Sequence, residues 1–176
     1  MKSPIRISFI ICLTMFPAMV TGGSYLGAAI GYSYVDQSLF AESGTGIKVF
    51  GGIGLNSYFS VEAAYMDLGQ PQEDLFGLQQ DYDVWAAGLW AKGMLPLGSR
   101  IIVFGKAGLA HWDLEKTTTF FGLSSQTVSQ SGNDPIWGVG MEFKIGDRYS
   151  MPLEYERIES EDDEIALFSI GIVYRF

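Results

Sequence analysis

Five charged residues sit where a period-two pattern turns them to one face of extended segments: Glu62, Lys92, Lys106, Glu142 and Glu154. Three acids and two bases brought into one confined space must pair or hold water, because an unpaired buried charge is costly. Other chemistry is poorly supplied. A Ser-His-acid nucleophile needs an imidazole base beside its serine. The sole histidine, His111, stands in Leu109-Ala110-His111-Trp112-Asp113, with parity opposite to Lys106 and no serine within a dozen residues on its C-terminal side. The run Glu159-Ser160-Glu161-Asp162-Asp163-Glu164 holds five carboxylates. It lacks the spacing and turn glycine of an EF-hand calcium loop, so it reads as a solvated acidic loop, able at most to bridge to phosphates through divalent ions. The one cysteine, Cys12, lies in an N-terminal apolar run after Ile10-Ile11, not after the small residue a lipoprotein signal requires. No catalytic, cofactor or metal site is expected.

The elements that must position these charges are strands. Segments of alternating character span 24–35, 46–55, 58–67, 82–95, 100–113, 135–145, 149–158 and 164–176. In 136–145, Trp137, Val139, Met141, Phe143 and Ile145 share one face, and Ile136, Gly138, Gly140, Glu142 and Lys144 the other. Phe59, Val61, Ala63 and Tyr65 alternate with Ser60, Glu62, Ala64 and Met66; Met151, Leu153 and Tyr155 alternate with Pro152, Glu154 and Glu156. Large apolar residues share one face, charges and glycines the other. A soluble eight-stranded barrel has the reverse polarity. The pattern predicts an all-β, eight-stranded antiparallel up-and-down transmembrane β-barrel, apolar towards lipid and polar within. Phe50 and Trp90 are exceptions expected to point inward.

The connections alternate in length. Asn56-Ser57, Leu97-Gly98-Ser99 and Gly146-Asp147-Arg148 are tight turns, whereas 36–45, 68–81, 114–134 and 159–163 are longer or more polar. Short turns on one rim and long loops on the other, with both termini on the short-turn, periplasmic side, is the outer-membrane arrangement. Loop 114–134, rich in Thr, Ser and Gln around Phe120-Phe121, is the strongest candidate for contacting a partner. Outward aromatics should form two interfacial belts, Tyr34, Tyr65, Trp85, Trp137 and Tyr155 (with Phe168) near the long loops, and Phe59 and Phe143 (with Tyr174 and Phe176) near the short turns.

The two ends carry address signals. Lys2 and Arg6 precede an apolar run, Ile7 to Val20, shorter than the roughly 20 residues a spanning helix needs. Small residues follow at Gly22-Gly23-Ser24, so residues 1–22 are expected to be a signal peptide cleaved after Gly22 or Gly23, with 23–176 as one barrel domain. Loss of Lys2 and Arg6 takes the net charge from −9 to −11, which argues against a nucleic-acid partner. Discarding Cys12 leaves no thiol for disulfide, metal or nucleophilic chemistry. At the other end Phe168, Ile170, Ile172, Tyr174 and Phe176 share one strand face. That series looks like the terminal signature read by the barrel-assembly machinery of Gram-negative bacteria.

The chain resembles the OmpA-type eight-stranded outer-membrane barrel family. The resemblance rests on Val61-Glu62-Ala63-Ala64-Tyr65-Met66-Asp67-Leu68-Gly69, Trp90-Ala91-Lys92-Gly93-Met94-Leu95-Pro96, Gly105-Lys106-Ala107-Gly108-Leu109, and Gly138-Val139-Gly140-Met141-Glu142-Phe143 with Leu153-Glu154-Tyr155-Glu156. It implies a luminal ionic cluster at Glu62, Lys92, Lys106, Glu142 and Glu154. Pro152 stands where relatives often carry an arginine, which implies a cluster one cation short. The resemblance also implies a structural or surface-interaction role (envelope integrity, adhesion or recognition through outer loops), with lipopolysaccharide, outer-membrane lipid and an extracellular surface ligand as partners. A narrow gated ion path is the alternative, and a lipid-A-modifying enzyme is disfavoured because the His-x-Ser-Asn type of motif is absent. Eight strands leave an interior just wide enough for side chains, which argues against a general diffusion pore.

Overall fold

A computed structural model describes residues 23–37, 40–69, 72–75, 78–120, 124–159 and 164–176. The strands are β1 (Ser24–Gln37), β2 (Phe40–Gly54), β3 (Phe59–Asp67), β4 (Gln72–Leu75), β5 (Leu78–Leu97), β6 (Ile101–Phe120), β7 (Ser124–Lys144), β8 (Tyr149–Glu159) and β9 (Glu164–Arg175). All pairings are antiparallel. The order β3-β2-β1-β9-β8-β7-β6-β5 closes on itself through β3–β5, from Phe59↔Gly93 to Asp67↔Trp85. Eight strands therefore form a ring, and β4 adds only a four-residue hairpin arm to β5. Closure leaves no unpaired ring edge, the condition for a β-structure to sit in lipid.

The long connections are shorter than the composition suggests. Residues 36–45, 68–81 and 114–134 read as loops because they are polar. Yet β1 and β2 stay paired to Gln37↔Phe40, and β6 and β7 to Phe120↔Ser124. The ladder needs no apolar face to propagate: backbone pairing continues through the threonines and serines of 117–131, and threonine suits a pleated strand. Residues 38–39, 70–71, 76–77, 121–123 and 160–163 lie outside the described set, as do 1–22 with the expected signal peptide and Cys12.

The short turns follow local chemistry. The Asn56 side-chain oxygen accepts from the backbone N–H groups of Tyr58 (2.7 Å) and Phe59 (2.9 Å), an Asx closure of the β2–β3 link. Gly98 and Gly146 adopt φ of 77° and 95° in the other two, where a side chain would be strained.

Glycines inside the ring make room for luminal aromatics. A Cβ on Gly52 would fall 2.3 Å from the Tyr25 ring, one on Gly27 2.4 Å from Phe50, and one on Gly140 2.5 Å from Phe104. Each pair lies directly across a strand ladder, so large faces small around the lumen.

A charge-balanced cluster and an apolar tier fill the lumen

Alternation places Glu62 on β3, Lys92 on β5, Lys106 on β6, Glu142 on β7 and Glu154 on β8 inside the ring, all buried. Lys106 is the hub. Its Nζ lies 2.9 Å from Glu62, 2.6 Å from Glu154 and 2.6 Å from Glu156. Lys92 lies 3.4 Å from Glu62 and 4.0 Å from Glu142. The Tyr25 hydroxyl donates to Glu62 at 2.8 Å.

Three further residues belong to the cluster. Lys48 on β2 is fully buried, 2.5 Å from Glu156 and paired also with Glu154. Glu156 follows Glu154 by two positions, so the same parity turns it inward; Lys48 shares a face with Phe50 by the same rule. Arg175 on β9 pairs with Glu142 and donates to Ser150 at 2.6 Å. Pro152 is the ladder partner of Glu142, so position 152 offers that carboxylate no cation. Arg175 supplies one from the neighbouring strand. The cluster is therefore not one cation short: Glu62, Glu142, Glu154 and Glu156 face Lys48, Lys92, Lys106 and Arg175. Aromatic faces complete it, with Lys92 4.0 Å from the Phe104 ring centre and Lys106 4.7 Å from that of Trp90.

Towards the long hairpins the polarity of the interior changes. Met66 and Leu68 follow Glu62 on the inward face of β3, and Val84 and Ala86 precede Trp90 and Lys92 on β5. Ala110, Trp112 and Leu114 follow Lys106, Ile158 follows Glu156, and Ile165 and Leu167 precede Ser169; all are buried. They belong to one contiguous apolar cluster, which among the described side chains is free of lysines and glutamates at this height and continues down through Trp90 to Phe50 and Tyr25 beside the charges. The expected polar-in rule fails here for a physical reason. At this height the outward positions are Asp67, Asp83, Asp113, Glu115 and Glu159, so the wall faces water. Burial of apolar surface then favours an apolar interior, as in a soluble barrel. Lower down the outward positions are apolar, Leu89, Leu109, Ile170 and Ile172 among them.

The boundary between the two regimes is marked by aromatic rings. Tyr65 stacks on Trp85 at 5.9 Å, Trp85 meets His111 at 5.6 Å, and Trp137 meets Tyr155 at 5.9 Å. The Trp137 indole N–H donates to Glu159 at 3.0 Å, and the His111 ring lies 3.1 Å from the Asn133 side-chain oxygen. Tyr34 is exposed on β1. At the opposite end Tyr174 packs against Tyr149 (5.2 Å) and Phe176 (5.1 Å), with Phe59 exposed and Phe143 half-buried nearby. Phe168, Ile170, Ile172 and Phe176 of the last strand face outward.

The model of the outer membrane protein beta-barrel domain matches residues 8–176. The chain belongs to this family. It is an OmpA-like transmembrane β-barrel of the outer membrane. Outer membrane protein A of Salmonella typhi is 25% identical over 167 residues, covering 86% of this chain and 48% of the relative. The chain thus spans about half the length of the curated relatives it matches. Neisserial surface protein A shares the fold with a TM-score of 0.70 at 14% identity, over 88% of this chain and 97% of that one. So does Ail, the attachment invasion locus protein of Yersinia pestis, solved in complex with the heparin analogue sucrose octasulfate: TM-score 0.62, 18% identity, 88% and 99% coverage.

Proposed function

We propose that this barrel is a closed surface protein, without enzymatic activity, that acts through its long-hairpin end in envelope integrity, adhesion or recognition. The observation that carries this reading is the filled lumen. A charge-compensated tier lies beneath an apolar one, which leaves the rims as the surfaces available for contact. The exterior end is acidic: among side chains described there, Asp67, Asp83, Asp113, Glu115, Asp134 and Glu159 outnumber Arg157, and the sequence adds the run to Glu164. Ail was crystallised with a polysulfated ligand. The charge here favours the opposite class, a cationic surface or lipopolysaccharide phosphates bridged by divalent ions. His111 supports no catalytic role, being turned outward against Asn133.

In this reading residues 1–22 are a leader removed on export, the last strand's outward face is read by the assembly machinery, and the short turns face the periplasm. Orientation is tested with single cysteines at Ser99, in a short turn, and Ser129, exposed on β7, in a Cys12→Ser background. A membrane-impermeant maleimide on intact cells should label Ser129→Cys and spare Ser99→Cys until the outer membrane is permeabilised. Labelling of Ser99→Cys alone would invert the topology and move the acidic end to the periplasm.

A further inference from the structure

For more than half of its length, β7 has a neighbouring strand on one side only. Its ladder with β6 runs without a break from Ile101↔Phe143 to Phe120↔Ser124. Its ladder with β8 stops at Ile136↔Ile158, and β8 turns back into β9 at Glu159↔Glu164. Residues 124–135 therefore have no second strand beside them among the described residues. The chain has little of its own to cover them with: four residues join Glu159 to Glu164, and they must return to β9.

The backbone of β7 fixes which groups face the open side. The Lys144 N–H donates to the Arg100 carbonyl on the β6 side at 2.8 Å, and the Ile145 N–H to the Tyr149 carbonyl on the β8 side at 2.7 Å. Both ladders keep one register throughout, so even positions serve β6 and odd positions face the other way. The first odd position beyond β8 is Pro135, which has no N–H to leave unpaired. Above it, the N–H and C=O groups of Ser125, Thr127, Ser129, Ser131 and Asn133 point to the open edge. Natural edges are blunted by lysine, proline or a bulge. Residues 124–134 contain no lysine, arginine or proline, their register has no bulge, and Val128, Ser129, Gln130, Ser131 and Asn133 are exposed.

The foot of this edge is acidic. Asp134 adjoins Pro135 on β7, Glu159 follows the last β8 residue paired to β7, and the run to Glu164 adds four more carboxylates. We propose that the free edge of β7 is a strand-addition site for an extended, basic polypeptide segment. The segment pairs antiparallel with Ser125–Asn133 and sets its N-terminal lysines or arginines against Asp134 and Glu159. Alternating backbone donors and acceptors select a polypeptide, and the carboxylates select its charge. A second barrel in the same membrane does not fit. A two-fold axis along the membrane normal sets odd positions against odd, whereas a parallel ladder sets each bonding residue opposite one whose groups face away. The proposal rests on the recognition reading above only in placing this edge outside the cell; binding by the purified barrel is independent of orientation.

The test is fluorescence anisotropy of a labelled, N-acetylated peptide, Lys-Thr-Lys-Val-Thr-Val-Thr-Val, titrated with the barrel in phosphatidylcholine nanodiscs. Saturable binding is expected, and its loss when both lysines are replaced by glutamate. N-methylation of one alternate set of peptide amides should weaken binding by about tenfold or more, and of the other set far less, because only one set faces β7. Ser129→Pro with Ser131→Pro removes two edge donors and leaves the even positions bonded to β6. That variant should keep heat-modifiable migration, the sign of a folded barrel, and bind about tenfold more weakly. Glu159→Gln should weaken binding by about threefold. Absence of saturable binding would overturn the proposal and leave the cysteine-labelling test of the surface reading untouched. Equal effects of the two methylated sets, or undiminished binding by the proline variant, would overturn it too, since charge alone would then hold the peptide.

Discussion

Replacing Lys106 with Met should lower the stability of the barrel by about 3–5 kcal/mol in urea unfolding from lipid vesicles. The side chain is buried and touches three carboxylates, Glu62, Glu154 and Glu156. Removing it leaves two bases and Arg175 against four acids, in a space where water cannot replace an ammonium at equal cost. The penalty comes from stranding the acids, so removing one of them should return part of it: Lys106→Met with Glu156→Gln should be more stable than Lys106→Met alone. Glu115→Gln, on an exposed outward position of β6, serves as the control. A Lys106→Met transition displaced no further than this control would mean that the charges are individually hydrated and that no cluster holds the strands together.

Trp112→Ala should be comparably damaging, at about 3–5 kcal/mol, for the opposite reason. Trp112 is 5% exposed and packs within the apolar upper lumen, its indole N–H donating to Asp134. A polar, water-filled mouth would leave this ring half solvated and its truncation nearly free. Trp137→Ala, on the outer belt, removes the same ring from a half-buried site and should cost visibly less. Equal effects at the two positions would contradict the division of the lumen into a charged and an apolar tier.

The ring itself was legible in the sequence because period-two alternation is a local property. Phe59, Val61 and Tyr65 against Ser60, Glu62 and Met66 fix both strand and face without knowledge of any neighbour. Even Phe50 and Trp90, which break the apolar-out pattern, are placed inward by parity. The cluster was less legible. Lys48 lies where the second strand emerges from a polar segment, and its partners Glu154 and Glu156 are more than a hundred residues away. Arg175 reaches Glu142 only because β9 lies beside β8 in the closed ring. Such pairings depend on closure, which no window of sequence contains. The apolar tier escapes a polar-in rule that treats each strand as facing lipid along its whole length. The outward acids Asp67, Asp83, Asp113 and Glu115 marked the height at which lipid gives way to water, and therefore where the inner face had to change.

The central claim, that the lumen is closed, is tested most directly by conductance of the purified barrel in planar bilayers. Ion pairs bind each luminal charge and an apolar tier lies above them, so the trace should stay at the bare-membrane baseline in molar salt at both polarities. Regular, cation-selective steps from the unmodified barrel, abolished by Glu62→Gln, would show a continuous ionic path through the cluster and contradict the closed-barrel account.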